Sequence, residues 1–290
     1  MPQPSLTIGL VAAVFVLIIW SGFIVFARAG VLAGLTPYDV AALRFLVAGV
    51  LTVPFAYWWW PRHLPVRIQV LLALSGPGAI YSLMIFAGLA NASAAYGGVF
   101  SNGALPIFTM IIAMAVAGTR PKGAQVIGAL IIIAGGVMVA WRGLNAGGAD
   151  VALGIVLFLG ASCLIATYIY ALKHWNVTPK QALTIINIPN GLVYLPIWAL
   201  FLPSTMSSVP MDTVVAQALF QGLGPGYLAV MIFAMLAFHL GATPTAAVSA
   251  AVPAAAAVLA IPALGEIPTP LECAGIAVVT LGLGLLIRGR

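Results

Sequence analysis

Apolar residues run along this chain in uninterrupted stretches of about twenty, divided by short segments of Pro, Gly and charged residues, and they do not alternate with polar ones. A continuous run of that length is what a helix needs to cross about 30 Å of hydrocarbon, whereas a membrane strand would show a period of two. The pattern predicts ten helices, over 6–27, 38–60, 66–89, 93–117, 122–141, 151–172, 180–202, 212–238, 244–264 and 269–288. Connections are short. The one candidate linker is Arg142–Asp150, a Gly- and Asn-containing loop between the fifth and sixth helices.

The pattern is written twice. Gly76-Pro77-Gly78 returns as Gly224-Pro225-Gly226, 148 positions on, and at an offset of 147 Met84-Ile85-Phe86-Ala87 returns as Met231-Ile232-Phe233-Ala234. The same 147 carries Pro106 onto Pro253, Gly118 onto Gly265, Gly128 onto Gly275 and Gly135 onto Gly282. A run of matches at constant spacing is an internal repeat. Five helices per copy is an odd number, so the second copy must enter the membrane upside down, giving an inverted-topology pair with residues 1–145 as one half and 146–290 as the other. The expected fold class is an all-α integral membrane protein of ten transmembrane helices, two inverted five-helix repeats around a central cavity.

Composition sharpens this. Hydrophobic residues make up 63% and charged residues 6% of the 290, too few charges to solvate a globular surface. The net charge of +6 contains no basic cluster of the kind that binds nucleic acid, and instead reports orientation. With the N-terminus in the cytoplasm, Arg62, Arg67, Arg120, Lys122, Lys173, Lys180, Arg288 and Arg290 lie inside, Arg28 and Arg142 outside, and Arg44 within a helix. Eight against two fixes both termini as cytoplasmic in a multi-pass protein of the inner (plasma) membrane, with lipid as its surroundings. The first apolar run has no basic region before it and no small-residue cleavage site after it, so it is expected to be a retained helix.

Proline inside a helix removes a backbone hydrogen bond and clashes with the turn before it, so Pro77, Pro106, Pro225 and Pro253 are expected as hinges in the third, fourth, eighth and ninth helices. Backbone groups freed there are tolerable in hydrocarbon where they face protein or a water-filled cavity. Polar residues at mid-membrane depth form the candidate binding set: Tyr81, Ser101, Asn102, Tyr168, Asn187, Gln217, Gln221 and Ser249, with Asn190, Tyr194 and Tyr170 beside them. Each could equally be interhelical glue, since hydrogen bonds of that kind are ordinary in membrane bundles. Arg44 lies about two turns from the outer end of its helix and is expected to snorkel toward the headgroups. Trp58-Trp59-Trp60 reads as an interface belt.

Enzyme signatures are missing. His63, His174 and His239 sit at helix ends without a partner at metal-ligand spacing, Cys163 and Cys273 are single residues in apolar runs, and no paired carboxylates occur, so no metal and no cofactor is expected.

Several stretches resemble the drug/metabolite transporter superfamily in its ten-helix EamA branch. They are Trp20-Ser21-Gly22-Phe23, Thr36-Pro37 with Ala41-Ala42-Leu43-Arg44-Phe45, Leu105-Pro106-Ile107-Phe108, and Leu264-Gly265-Glu266 with Gly275 and Gly282. Within the branch the chain is similar to the YddG-type amino acid exporters. The first copy departs from the family pattern in having Gly118-Thr119 where Gly-Glu is frequent. The resemblance implies export of small metabolites, amino acids that are aromatic or otherwise neutral, by alternating access around a cavity lined by the third, fourth, eighth and ninth helices. A passive metabolite channel and a lipid flippase or intramembrane enzyme are the alternatives. The third, fourth, sixth, seventh and eighth helices hold no mid-membrane Asp or Glu, so a carboxylate proton relay is not expected.

The topology predicts that Asn145→Cys reacts with a membrane-impermeant maleimide added to intact cells. Reaction from the cytoplasmic side alone would overturn the orientation.

Overall fold

The computed structural model of the protein describes residues 5–145 and 148–288. Arg290 and the expected division at residues 145–146 therefore fall at or outside the edge of the described residues. Ten helices long and apolar enough to span a membrane follow one another. They are α1 (Leu6–Leu32), α2 (Pro37–Thr52, running on through a 3-10 turn Val53–Phe55 into Ala56–Trp59), α3a (Val66–Ser75) with α3b (Ala79–Asn91), and α4a (Ala94–Gly97) with α4b (Leu105–Ala117). After them come α5 (Gly123–Asn145), α6 (Ala149–His174), α7 (Pro179–Phe201), α8a (Met211–Leu223) with α8b (Ala229–Leu240), α9 (Ala242–Leu264) and α10 (Pro270–Arg288). Ten crossings bring both termini to one end of the bundle, and Ser5 and His239 meet there: the Ser5 N–H donates to His239 Nδ1 at 3.0 Å.

Local chemistry sets the helix ends. Thr36 and Thr178 form capping boxes with Asp39 and Gln181, each followed by proline at the first helical position, where no N–H is required. Gly118 (φ 61°) and Gly265 (φ 68°) close α4b and α9 in the left-handed conformation that L side chains rarely adopt. The expected Arg142–Asp150 loop is shorter than the sequence suggested. Arg142 remains in α5 and Asp150 is already in α6, because neither Gly143 nor Asn145 interrupts the helical hydrogen bonding.

The four expected proline sites behave differently from one another. Pro77 lies in a complete break between α3a and α3b. Pro225 widens α8 into a π-helical turn over Gly224–Leu228 without separating its halves. In α4 the widening, Gly98–Gly103, precedes proline, and Pro106 then occupies the first turn of α4b, so it opens a helix and does not bend one. Pro253 stands inside an uninterrupted α9, without the loss of helical structure seen at Pro77. Two prolines that the sequence reading passed over, Pro189 and Pro196, are inside α7.

Packing is closest between α5 and α10. A Cβ on Gly135 would stand 2.7 Å from the Gly275 carbonyl oxygen, and one on Gly282 would stand 2.9 Å from that of Gly128, so two glycine pairs let the backbones touch. The α9 helix packs on α4a and on the wide turn 98–103, yet scarcely touches α4b. The two helices cross where a Cβ on Gly98 would lie 3.0 Å from Pro253 Cα. They are thus joined toward the end of the bundle that carries Arg28 and Glu266 and parted toward the end that carries the termini. No residue of α4b is fully buried.

Candidate functional site

The centre of the molecule is organised by the two Gly-Pro-Gly segments and by what side chains do to the backbone groups they release. At the α3 break, the Asn190 side chain from α7 works in both directions. Its Oδ1 accepts from the Ala79 N–H at 2.8 Å, and its Nδ2 donates to the Ala73 carbonyl at 3.1 Å and the Ile186 carbonyl at 2.9 Å. One amide therefore closes the end of α3a and the beginning of α3b. Gly78 has to be glycine for this contact, since a Cβ there would lie 2.6 Å from Asn190 Nδ2. Gly76 is equally confined, with Tyr168 Cδ2 2.8 Å from the position its Cβ would take.

Three residues before Asn190, Asn187 serves the other Gly-Pro-Gly segment. Its Nδ2 donates to the Gly226 carbonyl at 3.1 Å and to Thr52 Oγ1 at 3.0 Å, while its Oδ1 is buried without a partner. A spacing of three puts both amides on one face of α7, so a single helix serves both segments. On α8a, Gln217 Nε2 donates to the Phe26 carbonyl of α1 at 2.6 Å, and Gln221 Nε2 donates to Gln217 Oε1 at 3.4 Å. Gln221 Oε1 is left buried and unpaired.

Arg44 is the residue that the sequence reading misplaced. It does not snorkel. It is 2% exposed, and its Nη2 donates to the Pro77 carbonyl in the α3 break at 3.2 Å. The guanidinium carbon lies 5.5 Å from the Phe23 ring centroid and 5.9 Å from that of Phe45, and Nε has no partner. Its stem reaches the second Gly-Pro-Gly segment, where a Cβ on Gly226 would stand 3.8 Å from Arg44 Cγ. A charge at this depth costs about 2.5–3.5 kcal/mol on insertion scales. Two ring faces return on the order of 0.5–2 kcal/mol each and one carbonyl adds a charge-assisted hydrogen bond, so Arg44 is held inside by α1, α2 and the α3 break. The signal in the sequence was a lone basic residue on an apolar helix. What it lacked was the neighbours.

The remaining candidates disperse. Tyr81, on α3b, lies within electrostatic reach of Arg44 and stays partly exposed although surrounded by protein. Tyr168 packs in an apolar cluster with Leu72 and Ile186. Ser101 donates to Gly97 of its own helix, Asn102 Nδ2 to Ser101 Oγ at 3.1 Å, and Ser249 to the Thr245 carbonyl at 3.1 Å. Tyr194 donates to the Tyr38 carbonyl at 3.0 Å, and Tyr170 stacks on His174.

A second polar group closes the end of the bundle opposite the termini. Arg28 Nε donates to Glu266 Oε1 at 2.8 Å, and Nη1 donates to the Leu89 carbonyl at 2.5 Å. Glu266 Oε2 accepts from the Ala94 N–H at 2.9 Å, so one ion pair ties α1, α3b, α4a and the end of α9. Beside it is a cavity of about 380 Å³ between α4, α5, α9 and α10. A larger apolar cavity, about 590 Å³, lies between α4, α5 and α6. Neither is bounded by α3 or α8, unlike the central cavity expected from the resemblance. Among the described residues no three of His, Cys, Asp and Glu gather as a metal site would require.

Residues 7–141 match the profile of the EamA-like transporter family. The chain is 26% identical over 256 residues to the uncharacterized transporter YwfM of Bacillus subtilis (strain 168), across 86% of this chain and 83% of that one. It is 32% identical over 131 residues to the uncharacterized transporter YcxC of the same organism, across 43% of this chain and 41% of that one. A protein of known crystal structure shares the fold with a TM-score of 0.67 over 97% of this chain and 96% of that one, at 19% identity. Residues 7–141 thus resemble the EamA-like transporter family, and the ten long apolar helices among the described residues mark a multi-pass membrane protein.

Asn190→Ala would leave the Ala79 N–H and the Ala73 carbonyl unpaired in the bundle interior. At about 1–3 kcal/mol for each orphaned group, it should lower the melting temperature of the purified protein clearly. An unchanged melting curve would show that water or backbone rearrangement replaces the amide.

Proposed function

We propose that this EamA-type transporter is a secondary exporter of small metabolites, neutral amino acids among them, that works by alternating access between two inverted halves. The observation that carries the reading is the α4–α9 pair, closed at one end, parted at the other and crossing at Gly98 and Pro253. A pair of this shape opens a path to one side at a time. The glycine contacts of α5 and α10 support the inverted relation of the halves. Gly128 and Gly135 have Gly275 and Gly282 as their sequence copies, yet touch Gly282 and Gly275, the exchange that a two-fold axis in the membrane plane produces.

With the termini in the cytoplasm, the closed end faces outward and the Arg28–Glu266 pair is its latch. The state described then faces inward. The opposite state follows if the halves exchange conformations: α9 takes the widened form of α4, and Pro106 packs against Thr245, the counterpart of Gly98 at the repeat offset. Pro106 and Pro253 act as the alternating hinge points in this scheme, with Pro77 and Pro225 marking the fixed centre. The inner latch is built differently, because the counterpart of Glu266 is Thr119 and cannot form an ion pair.

Recognition of a neutral amino acid draws on uncharged groups. The unpaired oxygens of Asn187 and Gln221 are acceptors for an ammonium group, and Tyr81 is an accessible hydroxyl nearby. The acidic residues stand at helix ends: Asp39 is in the first turn of α2 and accepts from Trp198 and Thr205, and Glu266 is in the latch. Export therefore runs down the substrate gradient, without an obligatory proton.

In proteoliposomes at equal pH on both sides, labelled L-phenylalanine, L-leucine or L-threonine should show saturable counterflow. Pro106→Ala with Pro253→Ala should slow it several-fold in protein that inserts normally. Accumulation that needs an imposed pH gradient and collapses with an uncoupler would overturn the uncoupled mechanism, and flux without saturation or counterflow would make the protein a channel.

A further inference from the structure

We propose that Arg44 is a substrate-binding residue whose guanidinium anchors the carboxylate of the transported molecule between the two Gly-Pro-Gly segments, so that the substrate class is one with a free carboxylate. The inference deepens the exporter reading and rests on it.

Arg44 is a buried cation without an acidic neighbour. The ion pair found among the described residues is Arg28–Glu266, and Asp39, one to two turns away on the same helix, is occupied by Thr36, Trp198 and Thr205. A guanidinium has five N–H donors, and here one bond is made, to the Pro77 carbonyl, while Nε stays unpaired. A cation needed merely to brace a break would be expected to spend its donors on carbonyls. This one keeps a fork in reserve, and a planar fork is what a carboxylate takes up with two parallel bonds.

The same spot supplies the complementary half of a zwitterion. Gly226 is the common neighbour of Arg44 and Asn187: Arg44 Cγ lies 3.8 Å from where its Cβ would be, and its carbonyl accepts from Asn187. Asn187 Oδ1 is a buried acceptor without a donor, and Arg44 Nε is a buried donor without an acceptor. A carboxylate and an ammonium one carbon apart satisfy both kinds. Pro77, Ala79, Tyr81 and Tyr227 keep partial exposure around the segments.

The test compares the acid with its amide. In proteoliposomes with the wild-type protein, L-phenylalaninamide and L-leucinamide should compete with counterflow of the parent amino acids at least about tenfold more weakly than the free acids do. Arg44→Gln should raise the apparent KM at least about tenfold and abolish the preference for acid over amide, and Arg44→Lys, which keeps the charge and loses the fork, should fall between. A bracing role predicts something else: a lower melting temperature with the acid-to-amide ratio unchanged, and that result overturns the proposal. Equal competition by acid and amide on the wild type overturns it too, whether or not Arg44→Gln folds. If none of the amino acids is carried, the substrate reading of the exporter fails, and thermal stabilisation of the purified protein decides on Arg44 separately. Stabilisation by 3-phenylpropionate and the amino acids that the amides do not give, and that Arg44→Gln loses, supports the anchor. No stabilisation by any carboxylate ends it.

Discussion

Everything at the centre of this bundle follows from the absence of water there. A Gly-Pro-Gly segment inside an apolar helix frees carbonyls and amides, and hydrocarbon offers them nothing. The protein answers with α7. Asn190 bridges the two ends of α3 and Asn187 holds the widened turn of α8, so one helix, through two side chains a single turn apart, serves both halves of the repeat. Gly76 and Gly78 are required because the groups that make the repair occupy the space a side chain would need.

Arg44 belongs to the same constraint seen from the side of charge. A cation in this interior is tolerated because two rings, the Pro77 carbonyl and the closeness of both segments offset its desolvation. That differs from the Arg28–Glu266 pair at the end of the bundle, where both charges are partly exposed and their bonds to Leu89 and Ala94 join four helices. One cation is fully invested in closing a gate. The other holds donors back.

The contrast between α4 and α9 shows what packing does to proline. Copies of one sequence pattern, they adopt different forms: α4 is widened at Gly98–Gly103 and α9 is continuous through Pro253. Proline does not dictate a break. Whether it makes one depends on what packs against it, and in α9 the backbone of Gly98 comes up to Pro253 where the helix runs on unbroken.

The sequence by itself determined the number of helices, their order, the repeat and the resemblance to a transporter family, since all of these are carried by features that repeat along one dimension: apolar length, Pro and Gly spacing, and motifs such as Ala42-Leu43-Arg44-Phe45. It also marked Asn187, Gln217 and Gln221 as polar residues with something to satisfy. It could not say which bonds they make, because Asn187 finds its acceptors 39 and 135 positions away and Gln217 finds its own 191 positions away. The place of Arg44 was decided wholly by tertiary structure. Two turns from a helix end, the same residue can reach for water or turn inward, and the choice was made by Phe23, Phe45 and the broken α3 gathering on one side of it. Pro77, Pro225 and Pro253 likewise carry one local instruction and give a break, a widening and a continuous helix, because the energy of a missing backbone bond depends on neighbours that spacing along a chain does not record.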